Sequence, residues 1–473
     1  MIPEFAIIGH PNEGKSSVVS TLSEDDSVRI STIPGETINC RIFPVTIDGE
    51  EIIRVTDTPG FQNPRKALQW IKDYSGSNNN IAKAFCEANQ DNPLFQDEYE
   101  LFAPIARGAG IIYVVDASRP LRKDDIAEME ILRLTGRPRM SILNCKENEG
   151  KYLEEWKKEL LKNFNSTRIF NAHRATYAER IRLLESLKAI DQDWYPSIEK
   201  VISAFKQDWN RRNIKAAEII CDFLKTCLLH SSEKKIPDES KEKEIFEELK
   251  EQYKKEIEDI EKQGYIKIKK LFKHNIFNAS LPPQSILNED LFGLKTWNAL
   301  GLTSRQVRNA SILTGMGLGA LADVVAAGIS FGVFTAIGGA VAGVTSYLKG
   351  EKISEFEVIG IKLGKLIANV TQRENPQFLY VVLDRALIYY SYVINWAHGR
   401  RNYPEYENDV KKIKEDALKK GFTHILNAEE KKILFIFYKI VYKRKKSDKL
   451  EEINKKALDI IKKCLDRISE NEL

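Results

Sequence analysis

The sequence predicts two halves of different class: an α/β domain with a mostly parallel sheet over residues 1–190, then an all-α half that contains a Gly-rich apolar helical hairpin. Three observations carry this. Short apolar runs alternate with helix-like runs only up to about residue 190. A phosphate-cradling motif follows the first of those runs directly. Beyond residue 190 the apolar residues recur at steps of three and four, and one long stretch loses its charges.

In order, the strand candidates are Phe5–Ile8, Arg41–Ile47, Ile52–Thr56, Ile111–Val115, Met140–Leu143 and Arg168–Phe170. Most are short and apolar, as strands covered on both faces must be. Gly9-His10-Pro11-Asn12-Glu13-Gly14-Lys15-Ser16 fits G-x-x-x-x-G-K-[ST]. Its glycines let the backbone N–H groups of the Gly9–Ser17 turn close around phosphates, with Lys15 reaching the β- and γ-phosphates and Ser16 ligating Mg²⁺. A helix over Ser17–Leu22 presents its positive end to the same phosphates.

Asp57-Thr58-Pro59-Gly60 closes the third strand. Asp57 stands where an acid that holds Mg²⁺ through water belongs, and the Gly60 N–H where it would meet the γ-phosphate. Between the two motifs, Thr37 is the candidate switch ligand to Mg²⁺, with Thr32 as its competitor. About fifty residues separate Gly60 from Ile111, with a turn at Ser75–Asn80 and a helical pattern over Glu98–Ala106. An insert that long, residues 61–110, is a place for an effector protein or a water-positioning residue.

The order Pro-Asn-x-Gly-Lys-Ser, switch Thr, Asp-Thr-Pro-Gly resembles the Era/TrmE/EngA branch of translation-factor-like GTPases. The resemblance implies an α/β P-loop GTPase domain that binds GTP and GDP. It implies that Phe61 stands where other branches place a catalytic glutamine, and that Asn12 recruits K⁺, the alternative being a loop-bracing hydrogen bond. The guanine motif Asn-Lys-x-Asp is represented by Asn144-Cys145-Lys146-Glu147. Asn144 is in place, Cys145 replaces the stacking lysine, and Glu147 replaces the aspartate with one more methylene. Asn171-Ala172-His173 stands at the Ser-Ala-Lys loop, where the Ala172 N–H meets the guanine O6.

Charged residues dominate 191–288, where Ile245, Phe246, Leu249, Tyr253, Ile257 and Ile260 mark one helix face. Residues 289–351 hold the Gly-rich region and 352–473 a final helical region. Asp290–Trp297, the Gly-rich segment, Asn375–Arg385, Asn171–Arg174 and Ala178–Glu185 resemble a bacterial family that fuses an Era-like GTPase to a C-terminal domain of unknown function.

Residues 311–348 contain eight glycines and one charge, Asp323. Three readings compete: a hairpin turning near Gly328–Gly332 that inserts into lipid on a cue, a constitutive membrane hairpin, or a buried hairpin in a soluble core. Neither leg has a polar face, which favours lipid or a deep core; Gly339-x-x-x-Gly343 permits close helix packing. Asp323 and the short legs weigh against stable spanning. Lys443–Lys446, after the apolar run Ile433–Tyr442, fits either an anionic surface or the solvated end of a core helix.

A net charge of +4 over 473 residues argues against nucleic acid. Six scattered cysteines, none in C-x-x-C, fit free thiols in a reducing compartment. No basic region precedes the first strand, so no signal peptide is expected. The expectation is a cytoplasmic GTPase switch, peripherally or conditionally associated with the inner membrane, whose nucleotide state moves the helical half. The alternatives are an RNA- or ribosome-associated assembly factor and an interaction scaffold with weak GTPase activity.

Overall fold

The computed structural model describes residues 2–10, 13–23, 40–47, 49–76, 80–144, 152–170, 177–237, 239–272, 287, 290–292, 296, 300–301, 358–362, 365–372, 375–394, 421–442 and 448–470. The chain divides into two compact units, residues 1–210 with 394–401 and residues 211–393 with 402–473.

In the first unit the elements run β1 (Glu4–Ile8), α1 (Lys15–Ser23), β2 (Arg41–Ile47), β3 (Glu50–Asp57), α2 (Pro64–Asp73), α3 (Ile81–Asn89), α4 (Gln96–Arg107), β4 (Gly110–Asp116), α5 (Lys123–Leu134), β5 (Arg139–Asn144), α6 (Leu153–Asn163), β6 (Ser166–Phe170) and α7 (Tyr177–Lys188). Each expected strand is present, extended by up to two residues at an end. The sheet order is β2-β3-β1-β4-β5-β6. Only the β2–β3 pair is antiparallel. Residues alternate across a strand, so β1 feeds two cores. Phe5 and Ile7 pack with Val18, Val19 and Leu183 on one face. Ala6 and Ile8 pack with Phe61, Phe102, Leu132 and Trp156 on the other. Register places Ile7 beside Asp57, and Asp116 beside Asn144. The carboxyl ends of the parallel strands therefore open at one edge, where an open α/β sheet binds ligands.

The long insert after Gly60 is mostly helical. Asn63 and Pro64 open α2, with proline in the first turn where its missing N–H costs nothing. Asn80 caps α3 by accepting from the Lys83 N–H, and Gly108 ends α4 in the left-handed conformation at φ +112°.

The second unit is largely helical. The unit boundary falls within α8 (Tyr195–Leu229), and α9 (Glu242–Leu271), α10 (Pro376–Ile394), α11 (Ala428–Tyr442) and α12 (Asp448–Ser469) follow. It also holds a three-stranded antiparallel sheet that helical periodicity did not mark: β7 (Ser232–Lys235), β8 (Val358–Lys362) and β9 (Lys365–Val370), in the order β7-β9-β8. Part of the tract read as a final helical region, residues 358–362 and 365–370, thus forms antiparallel strands.

The apolar face expected on α9 is buried, at Ile245, Phe246, Leu249, Tyr253 and Ile257. Glu261 on the same helix forms a buried bidentate pair with Arg385 of α10, at 2.6 and 2.8 Å. Next to it, Tyr265 stacks on Tyr389 at 3.9 Å. Asp384 is fully buried and accepts the N–H groups of Gly301 and Thr423, both at 2.6 Å. The run before Lys443–Lys446 lies in a core helix, with Leu434, Phe435, Phe437 and Tyr438 buried. Among the described residues no helix is long and apolar enough to cross a membrane. Residues 311–348 and Lys443–Lys446 lie outside the described residues.

Candidate nucleotide site

The loop from β1 to α1 turns under backbone constraints that select its glycines. Gly9 has φ +148°, and a Cβ there would collide with the Val114 carbonyl oxygen of the neighbouring strand. Gly14 has φ +99°, and a Cβ would collide with the Asn144 side-chain amide. That amide is a brace: Asn144 Nδ2, at the end of β5, donates to the Glu13 carbonyl at 2.8 Å. Asn144, expected to read the base, thus also holds the phosphate loop.

Lys15 is buried, and its ammonium folds back over the loop, donating to the Gly9 and His10 carbonyls, both at 3.0 Å. Burial holds its pKa below the usual lysine value, while Asp57, Glu13 and Glu128 push it back up. Ser16 Oγ donates to Asp57 Oδ2 at 3.2 Å, joining the first helical turn to the end of β3. A hydroxyl facing a buried carboxylate at the mouth of a phosphate loop is a hard-oxygen donor set, which fits Mg²⁺.

The segment leaving β3 is pinned at three points. Thr58 Oγ1 donates to the Ile7 carbonyl at 2.7 Å. Phe61, 1% exposed, packs into the core with Ala67, Phe85 and Phe102. Glu98 of α4 accepts the N–H groups of Gln62 and Asn63 at 2.9 and 2.5 Å. Gly60 sits buried between these anchors.

Behind the loop lies a charge network that sequence reading did not foresee. Glu13, 3% exposed, meets Arg119 through both Nε and Nη2, the former at 3.1 Å. The same guanidinium forks onto Asp125 at 2.7 Å through two nitrogens, and lies 5.2 Å over the Trp156 ring. Trp156 Nε1 in turn donates to the Arg119 carbonyl at 2.8 Å. His10 Nδ1 stands 3.1 Å from Glu128, whose other oxygen accepts from the Tyr113 hydroxyl at 2.8 Å. Burial raises the Glu13 and Glu128 carboxyls and lowers His10. A glutamate just before the Gly-Lys of a phosphate loop needs a buried counter-charge, and Arg119 after β4 supplies it. That requirement was the one signal available.

Of the expected site residues, Gly9, Glu13, Gly14, Lys15, Ser16, Ser17, Asp57, Gly60 and Asn144 come together at the carboxyl edge of the sheet. Asn12, Thr37, Glu147 and Ala172, with Thr32, Cys145, Lys146 and His173, lie outside the described residues.

A protein-family model described as a 50S ribosome-binding GTPase matches residues 4–145. A second, described as a domain of unknown function, DUF3482, matches residues 157–452, more than half of the chain. The chain belongs to the DUF3482 family. This DUF3482 protein joins that domain to an N-terminal GTPase domain similar to those of Der. It is 28% identical to GTPase Der of Thermoanaerobacter sp. over 148 residues, 30% of this chain and 33% of that protein. To GTPase Der of Agathobacter rectalis it is 38% identical over 134 residues, 26% and 29% of the two chains. It thus spans about a third of the length of these curated relatives. Among solved structures, Aquifex aeolicus Era bound to GDP·AlF4⁻ matches 57% of this chain and 90% of its own at 14% identity, with a TM-score of 0.27. NFeoB from S. thermophilus bound to GDP·AlF4⁻ and K⁺ matches 56% and 91% at 17% identity, with a TM-score of 0.23.

Proposed function

We propose that this DUF3482 protein is a Mg²⁺-dependent GTPase switch. The observation that carries the reading is the Ser16–Asp57 pair at 3.2 Å beside Lys15, in a loop braced by Asn144. On nucleotide binding, Lys15 exchanges the Gly9 and His10 carbonyls for β- and γ-phosphate oxygens. Ser16 would hold Mg²⁺ directly and Asp57 through water, with Thr37 completing the set when the γ-phosphate is present. The bound metal supplies positive charge to the phosphates. The Gly60 N–H meets the γ-phosphate, where charge develops as water attacks. Asn144, Glu147 and the Ala172 N–H read the guanine, and Asn12 recruits K⁺ beside the transferring group.

The test is calorimetric titration of the full chain with GDP, a non-hydrolysable GTP analogue and ADP in Mg²⁺, followed by phosphate release from GTP in K⁺ and in Na⁺. Guanine-selective binding with faster release in K⁺ is the expected result. A folded preparation that binds no guanine nucleotide ends the proposal.

The same reading has the nucleotide state govern the helical half, with residues 311–348 associating conditionally with lipid. Liposome flotation in GDP and in the analogue tests this: equal recovery in the soluble fraction in both states rules it out. A second reading, a ribosome-associated factor, takes support from the description of the family model over residues 4–145. Salt-sensitive co-sedimentation with ribosomal particles is its expected signature.

A further inference from the structure

Helix α4 belongs to the insert between β3 and β4, and it touches the ends of both segments expected to sense the γ-phosphate. Cys40, which closes the stretch holding Thr37, donates its N–H to Glu100 Oε2 at 3.3 Å and its thiol to the Glu100 carbonyl at 3.0 Å. On the other side, Glu98 Oε1 alone accepts both the Gln62 and Asn63 N–H groups. Asn63 Nδ2 adds a bond to the Leu94 carbonyl at 3.0 Å, just before α4.

The geometry around Glu98 is that of a fixed clamp. Its side chain is 0% exposed. Two adjacent N–H groups converging on one carboxylate oxygen set the orientation of the peptide planes they belong to, and charge-assisted bonds of this kind are about twice as strong as neutral ones. Those planes directly follow Gly60 and Phe61. With Thr58 tied to β1 and Phe61 buried, the backbone between residues 58 and 63 has both ends held.

We infer that Glu98 is a positioning residue for recognition of the γ-phosphate: it holds the backbone after Gly60 so that the Gly60 N–H is already aimed where the phosphate arrives. This rests on the GTPase reading above and names how one of its donors is preorganised. A preorganised donor stabilises the developing charge without reorganisation at the moment of reaction, whereas one that drifts loses that advantage. Burial raises the Glu98 carboxyl, and the Gln62 and Asn63 N–H groups work against that rise.

The experiment uses the full chain with Glu98→Ala and Glu98→Gln. Affinities for a fluorescent GDP and a fluorescent non-hydrolysable GTP analogue are measured together with single-turnover phosphate release. Glu98→Ala should keep GDP affinity, lose most of the preference for the triphosphate analogue, and slow release on the order of 10²-fold, the scale of a misplaced catalytic contact. Glu98→Gln keeps the accepting oxygen but not its charge, and should fall between wild type and Ala. In the wild-type protein the Gln62 and Asn63 amides should exchange slowly with GDP as well as with the analogue. Fast exchange of those amides overturns the inference, as does an Ala variant with an unchanged analogue-to-GDP ratio, an Ala variant that loses both affinities in parallel, or a Gln variant that fails as badly as Ala. A wild-type protein that binds neither guanine nucleotide overturns the GTPase reading itself, and is distinguished from these outcomes by that control alone.

Discussion

Phe61 stands where related GTPase branches carry a glutamine, so Phe61→Gln asks what that side chain does. The ring is 1% exposed and packs among Ala67, Ile71, Phe85, Phe95, Leu101 and Phe102. Removing a buried phenylalanine ring costs about 3–5 kcal/mol when nothing replaces it. Glutamine refills part of that volume but brings an amide into an apolar cluster, at about 1–3 kcal/mol if its donors and acceptor stay unpaired. The net expectation is a loss of about 3–5 kcal/mol, a large share of the 5–15 kcal/mol that typically holds a domain together. No gain in hydrolysis accompanies it, because the position faces the core. Phe61→Leu, which stays apolar, should cost only about 1 kcal/mol. Urea unfolding followed through Trp156 and Trp70, both packed in or against that core, reports the stability, and single-turnover phosphate release reports the chemistry. A Phe61→Gln protein with an unchanged unfolding midpoint and faster phosphate release would refute the reasoning, since the side chain would then have to leave the core and orient water.

Three further perturbations test the electrostatics. Arg119→Ala leaves Glu13 and Asp125 buried without their cation and should cost about 3–5 kcal/mol in urea unfolding; adding Glu13→Gln should recover part of it, and a single-variant loss under about 1 kcal/mol would show that the network is not coupled. Lys15→Ala should weaken GDP binding at least on the order of 10²-fold by calorimetry, with an unchanged affinity excluding Lys15 from the phosphates. Burial raises Asp384 to about 7 from an ordinary 3.8, against the hydrogen bonds it accepts. The native carboxyl therefore binds its proton more tightly than the unfolded one, so its contribution is complete below about pH 4 and is lost as pH rises through 7, a swing of up to about 4 kcal/mol. Urea midpoints from pH 5 to 8 should fall more steeply for wild type than for Asp384→Asn, and parallel profiles would contradict the assignment.

The strands and the phosphate loop were legible because both are local. An apolar run of five residues buried on two faces looks alike wherever it occurs, and the spacing of Gly9, Gly14 and Lys15 is itself a backbone geometry. Helix α4 was visible by its periodicity for the same reason. Partnerships made at a distance were not legible: Glu13 lies 106 residues from Arg119, and Glu98 lies 36 from Gln62. Nothing near Glu98 in sequence distinguishes it from Asp97 and Glu100, the half-buried acids beside it. Strand β7 was missed because Ser-Glu-Lys-Lys carries no apolar alternation; its strand conformation comes from pairing with β9. The β8–β9 pair was hidden because its short apolar runs, broken by Gly360 and Gly364, fit a helix as readily as two strands.

Glu98 and Asp384 answer the same physical demand in the two units. Buried backbone that leaves regular structure has N–H groups with no ladder partner, and an unpaired one costs about as much as a lost hydrogen bond. Among the described residues, each unit meets this with a buried carboxylate that accepts two such groups. The two differ in how the bonds are shared out. Glu98 takes both N–H groups on one oxygen, so an amide in its place still offers that oxygen. Asp384 takes Gly301 N–H on Oδ2 and Thr423 N–H on Oδ1, so either orientation of an amide sets an NH₂ against a backbone N–H. Glutamine at 98 should therefore be milder than alanine, whereas asparagine at 384 should lower stability even as it flattens the pH profile. The contrast separates the two roles of a buried carboxylate, since one position works through a single oxygen and the other needs both of its oxygens.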